Sequence, residues 1–124
     1  MSKSILIIDD EEDIKEIAQM GLEMAADWNV ITASTGKEGL AIAQTSQPEV
    51  ILLDLMMPDW DGKETLKHLK ANLQTANIPV IMMTAKTQSA IALELAELDL
   101  VGIITKPFRP LELAQQINDI IDIK

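Results

Sequence analysis

Residues 50–53 read Val-Ile-Leu-Leu and run straight into Asp54, with Pro58 soon after. A short apolar run without polar alternation suits a strand buried on both faces, as in a parallel sheet. That requirement excludes most small architectures, because something must cover each side of the strand. The pattern recurs: Ile5-Leu6-Ile7-Ile8 ends in Asp9 and Asp10, and Val80-Ile81-Met82-Met83 ends in Thr84. Residues 101–104 form a shorter run that ends near Lys106, and residues 27–33 read as a further strand nearer an edge.

Between these runs the apolar spacing changes to threes and fours. Ile14, Ile17, Ala18, Gly21, Leu22 and Ala25 lie at helical intervals. Thr35 with Glu38 and Asp61 with Glu64 have capping-box spacing ahead of the second and third helices. The third helix carries Leu66 and Leu69 and fades near Asn72. A fourth helix is expected over residues 88–98. Pro110 can open the last helix, whose expected inward stripe is Leu111, Ala114, Ile117 and Ile121. Strand and helix alternate five times, which predicts an α/β sandwich with a parallel sheet and helices on both faces. The methionines at strand ends, Met56, Met57, Met82 and Met83, are expected to fill core gaps.

A chain of 124 residues holds one core, so residues 1–124 are expected to form a single domain without an output domain. No cysteine is present, which excludes disulfides and thiolate metal sites. A net charge of −10 disfavours direct binding to nucleic acid. No apolar stretch approaches the roughly 20 residues that span a bilayer, so a cytoplasmic protein without membrane contact is expected.

The strand ends carry the chemistry. On one edge of a parallel sheet they bring together Asp9 and Asp10, Asp54, Thr84 and Lys106. Each alone is an ordinary strand terminus, cap or surface lysine; together, in this order, they point to a site. Clustered carboxylates must protonate or share a cation. Oxygen donors without cysteine suit magnesium, to which the Met56 carbonyl can add an oxygen. A hydroxyl and an ammonium suit the outer oxygens of a phosphoryl group, and Asp54 is placed to accept one as an acyl phosphate.

Over nearly its whole length the sequence resembles the receiver domains of two-component response regulators, the CheY-like family. The resemblance rests on Asp9-Asp10-Glu11 after the first run, Asp54 through Pro58 to Asp61-Gly62, Thr84-Ala85, and Lys106-Pro107-Phe108. It implies a flavodoxin-like (βα)5 fold, doubly wound, with strand order 2-1-3-4-5. It implies that Asp54 accepts phosphate from a histidine kinase or phosphotransfer protein. Magnesium (Mg2+) would be held by Asp10, Asp54 and the Met56 carbonyl, with Asp9 acting through water. Thr84 and Lys106 would hold the phosphoryl oxygens, Ala85 would keep the site open, and Lys106-Pro107 would be cis. Such a domain is a switch that assists its own phosphorylation and dephosphorylation and turns over no separate substrate. It would meet a downstream protein, or a second copy in a homodimer, through the face of the fourth helix, fifth strand and fifth helix.

The sequence departs from the family at Ile103, where an aromatic switch residue often stands, at Asp99-Leu100, and at Trp60 in the loop after Asp54. Trp60 borders the site, as a kinase contact or in packing. His68, mid-helix, reads as a surface residue. A haloacid-dehalogenase-type phosphatase also uses an Asp nucleophile on a parallel sheet. It needs a second Asp two residues on, where this chain has Met56. A binding module without phosphorylation would have no need of the full set of five residues.

Overall fold

In the computed structural model, which describes residues 3–25, 28–85 and 98–121, five strands lie in one sheet. In chain order the elements are β1 (Lys3–Ile8), α1 (Glu12–Ala25), β2 (Trp28–Ala33), α2 (Gly36–Ser46) and β3 (Val50–Asp54). They continue with α3 (Gly62–Ala71), β4 (Val80–Thr84), β5 (Gly102–Thr105) and a C-terminal helix, here α4 (Pro110–Ile121). All neighbouring strands are parallel, in the order β2-β1-β3-β4-β5. This is the order the resemblance implies, with β2 at an edge. The helix expected over residues 88–98 lies almost wholly outside the described residues.

The central runs are apolar because they serve two cores. Leu6, Ile8, Ile51, Leu53, Val80 and Met82 belong to one cluster, which takes in Ala43, Leu66 and Leu69 from α2 and α3. Ile5, Ile7, Val50, Leu52, Ile81 and Met83 belong to the other, with Ala18 and Leu22 of α1 and Leu113, Ala114 and Ile117 of α4. Successive side chains of a strand point to opposite faces, so a strand covered on both sides needs an apolar residue at every position. Both N-caps form, while the Glu38 side chain accepts from the Ser34 N–H at 2.6 Å and the Glu64 side chain meets His68 instead of returning to the cap. The Thr35 hydroxyl accepts from the Glu38 N–H at 3.0 Å, and the Asp61 carboxylate accepts from the Glu64 N–H at 2.9 Å.

Two expectations need correction. Leu111 is 66% exposed, whereas Leu113 is fully buried. The inward face of α4 is centred on Ile117, and Leu111 stands about 120° around the helix from it. Met56 is also exposed and fills no core gap, unlike Met57, Met82 and Met83.

Helix α1 packs tightly against the start of α4 where Gly21 faces Pro110. A Cβ on residue 21 would lie 2.2 Å from the Pro110 carbonyl oxygen, a backbone atom that cannot swing aside. Gly21→Ala is therefore expected to lower stability by about 1–3 kcal/mol, read as a drop in the urea midpoint with little change in slope. A midpoint equal to that of the original protein would show that the helix pair has slack.

Candidate functional site at the carboxyl edge of the sheet

Register brings the polar strand ends into line. Ile8 pairs with Leu53 and Asp54 pairs with Met83, so Asp9 stands level with Asp54 and Thr84 one step beyond. Thr84 pairs with Thr105, and Lys106 follows directly, its N–H donating to the Thr84 carbonyl at 2.8 Å. Asp9 extends β1 in the same way, its N–H donating to Ala33 at 3.1 Å. The loop after Asp54 is closed by the Gly62 N–H, which donates to the Leu55 carbonyl at 2.8 Å. A Cβ at Gly62 would lie 2.6 Å from the carbonyl oxygen of Asp54 itself, so a bare α-carbon is what lets α3 begin there.

Lys106 is the centre of the cluster. Its ammonium donates to Asp9 at 2.9 Å and to Glu11 at 3.2 Å, and lies 3.2 Å from Asp54 Oδ1. Three donors meet three carboxylates, which is all an ammonium can serve. Asp9 and Asp54 are buried, at 0% and 3% exposure, while Glu11 is exposed. Asp9 is further fixed by the Glu11 N–H, which donates to its Oδ1 at 2.9 Å. Thr84 is fully buried at the end of β4, and the Lys106-Pro107 peptide is cis.

Burial pushes the Asp54 carboxyl up to about 6, and the charge of Asp9 adds to this. Lys106 and the Met56 N–H, both hydrogen-bonded to Asp54, pull the other way without cancelling the rise. For Lys106 burial opposes the charge, yet its bond to Asp9 and the charges of Asp54 and Asp9 hold the ammonium above its usual range. The two shifts describe one shared situation: an excess of buried negative charge, incompletely neutralised by one lysine. Carboxylate oxygens of Asp9, Glu11 and Asp54 all lie within 4.8 Å of one another. Three carboxylates against one ammonium leave a net charge of about −2, and the donors are hard oxygens, so the cluster fits a divalent cation.

The structure thus gathers Asp9, Asp54 and Lys106 as the sequence suggests, with Thr84 at the adjoining strand end. Asp10 is exposed and is not among the three carboxylates within reach of one another. The third carboxylate of that group is Glu11. An exposed acid beside two others carries no sequence signal that it reaches a lysine 95 positions away. A second feature also went unread. Trp60 lies flat on His68, with ring centroids 3.8 Å apart and planes within 2°, and His68 Nε2 is 2.9 Å from Glu64 Oε2. The Lys37 ammonium lies 5.6 Å from the Trp60 ring, so Trp60 ties the loop after Asp54 to both α2 and α3.

Comparison with known proteins agrees with this geometry. The profile of the response regulator receiver domain matches residues 5–118. The alkaline phosphatase synthesis transcriptional regulatory protein PhoP of Bacillus subtilis is 40% identical over 121 residues, covering 98% of this chain and 49% of PhoP. The phosphate regulon transcriptional regulatory protein PhoB of Pseudomonas aeruginosa is 36% identical, covering 98% of this chain and 52% of PhoB. The chain thus spans about half the length of the curated relatives it matches. Among solved structures, the chemotaxis protein CheY4 of Vibrio cholerae superposes with a TM-score of 0.88 at 29% identity, covering 97% of this chain and 99% of CheY4. Among the described residues no helix is long and apolar enough to cross a membrane. Receiver domains are phosphoacceptor switches that interact with histidine kinases or phosphotransfer proteins, with phosphorylation on an aspartate as their general function. The β2-β1-β3-β4-β5 sheet, the acid pair and lysine at its edge, and the match over residues 5–118 establish that this chain belongs to the response regulator receiver domain family.

Proposed function

We propose that Asp54 is the phosphoryl acceptor of this receiver domain. The observation that carries the reading is the meeting of Lys106 with Asp54 at 3.2 Å, across half the chain, at a strand end where Asp54 is almost fully buried. In the transfer, an Asp54 oxygen attacks the phosphorus of a phosphohistidine. The phosphorus–nitrogen bond breaks, the imidazole leaves with the bonding pair and takes up a proton, and an acyl phosphate remains. Lys106 neutralises phosphoryl oxygens as charge shifts onto them, and the Thr84 hydroxyl supplies a hydrogen bond. Asp9, Asp54 and the Met56 carbonyl are the residues we assign to magnesium, with Asp10, exposed beside Asp9 and outside the close cluster, as the further carboxylate that the family resemblance implies. When bound, the ion supplies charge neutralisation between the acceptor and the incoming group.

The same groups let the domain promote its own phosphorylation and the later hydrolysis of the acyl phosphate, without a separate substrate. We assign the downstream protein target, or a second copy of the chain, to the face of β5, α4 and the helix expected over residues 88–98. A histidine kinase or phosphotransfer protein is the partner that this chemistry fits, and the cytoplasm is the compartment we assign to this domain.

Incubation with magnesium and acetyl phosphate tests the assignment. The intact mass is expected to rise by one phosphoryl group, labile to hydroxylamine, and the gain is expected to vanish in Asp54→Asn and on chelation of magnesium. An unchanged gain in Asp54→Asn would overturn it.

A further inference from the structure

Lys106 can face a phosphoryl group on Asp54 only while its flexible four-carbon stem is held in place. Three carboxylates hold it: Asp9 at 2.9 Å, Glu11 at 3.2 Å and Asp54 at 3.2 Å. They are not equivalent. Asp9 and Asp54 are buried strand-end groups that the proposed function commits to other work, either to the cation or to the incoming phosphoryl group. Glu11 stands at the mouth of the site, its side chain 60% exposed, while the Lys106 side chain is 11% exposed. Glu11 therefore approaches the ammonium from the solvent side, and the two buried acids approach it from within.

We propose that Glu11 is a positioning residue for Lys106: it anchors the ammonium at the mouth of the site when the oxygens of Asp9 and Asp54 are otherwise engaged. This rests on the reading of Asp9 and Asp54 as cation-binding groups. Its own content is the part played by Glu11. The local backbone supports the role. The Glu11 N–H donates to Asp9 Oδ1 at 2.9 Å, which locks residue 11 over the site, and the Glu11 carbonyl accepts from the Lys15 N–H at 3.2 Å as α1 begins. The Glu11 backbone is therefore held on both sides, and its side chain reaches the ammonium from a fixed point. An anchor of that kind restricts the lysine at less entropic cost than two free surface side chains pairing with each other.

Lys106 itself reports the outcome. The full chain is treated with a trace of acetic anhydride, and acetylation at each lysine is read by peptide mass spectrometry, with and without saturating magnesium. Exposed Lys67 serves as the internal standard. Magnesium binding is measured in parallel by calorimetry. In the original protein, Lys106 is expected to stay poorly reactive in both conditions. In Glu11→Gln, it is expected to stay protected without magnesium, held by Asp9 and Asp54. With magnesium it is expected to become about tenfold more reactive, a ratio equivalent to about 1.4 kcal/mol of lost protection. Equal Lys106 reactivity in the two proteins with magnesium would overturn the proposal. So would a magnesium affinity more than about tenfold weaker with Lys106 still protected, which would make Glu11 a metal ligand. Absence of magnesium binding by the original protein would remove the cation reading and this proposal together. The reactivity pattern does not depend on phosphorylation, so failure of Asp54 to take up phosphate leaves the Glu11 result standing and sinks only the acceptor assignment.

Discussion

Asp54→Asn is expected to make the magnesium-free protein more stable at neutral pH, although it removes a partner of Lys106. Burial, with the Asp9 charge behind it, raises the Asp54 carboxyl from 3.8 to about 6. The native state therefore holds a proton that the unfolded chain releases between those values. Wherever the native state binds more protons, stability falls as pH rises. The cost of the ionised Asp54 thus appears as pH climbs through the window from 3.8 to about 6, and it is fully present above. A shift of this size corresponds to roughly 3 kcal/mol, or a melting-temperature gain on the order of 10 °C for the asparagine variant. Asparagine resembles the protonated acid, so the gain is expected to shrink as pH falls and to disappear below about pH 4. Lys106 keeps Asp9 and Glu11 in the variant. Added magnesium is expected to stabilise the original protein and to leave the variant nearly unchanged, narrowing the gap. Thermal melts of both proteins across pH, with and without the ion, check this. An Asp54→Asn protein less stable at neutral pH would show that the Lys106 contact outweighs the burial of the charge.

The opposite sign is expected for Lys106→Ala. Without the ammonium, Asp9 and Asp54 lose the cation that lies between them, and breaking a buried pair from one side typically costs about 3–5 kcal/mol. Part of that is recovered because Asp54 can take up a proton, its pKa being lowered at present by Lys106. The loss at neutral pH is therefore expected near the lower end of the range, and smaller at mildly acidic pH, where Asp54 is already neutral. Urea unfolding at two pH values reads the difference. Magnesium is expected to restore more stability here than in the original protein, since it faces no competing ammonium. A variant as stable as the original at neutral pH would mean that solvent, not Lys106, neutralises the site.

How much of this was visible in the sequence depends on whether the signal was local. Residues 5–8, 50–53 and 80–83 announce strands covered on both faces because no polar residue interrupts them. The strand ends announce the site because the topology delivers every one of them to the same edge. Thr35 and Asp61 announce helix starts because a cap acts within three residues. What escaped was set by orientation. Leu111 and Leu113 are equally apolar, and only the seating of α4 on Gly21 decides which turns inward. Asp9, Asp10 and Glu11 are three acids in a row. Strand extension turns Asp9 inward and leaves Asp10 exposed, while Glu11 returns to the site from the first turn of chain beyond. The Trp60–His68 stack spans a loop and a helix turn, so neither residue's neighbours foretold it.

The span between Asp9 and Lys106 has a consequence for the order in which the molecule acquires its properties. Their contact joins residues 97 positions apart, through a parallel sheet in which no neighbouring strands are linked by a hairpin. Contacts of such range form late, because much of the chain entropy must already be spent before they can close. A partly synthesised or partly unfolded chain contains every carboxylate of the cluster yet lacks the lysine among them. It can hold Asp54 but lacks the ammonium that the finished fold sets 3.2 Å from that carboxylate. With Asp54 as the acceptor proposed above, competence to take up a phosphoryl group is expected to arrive only with the completed fold.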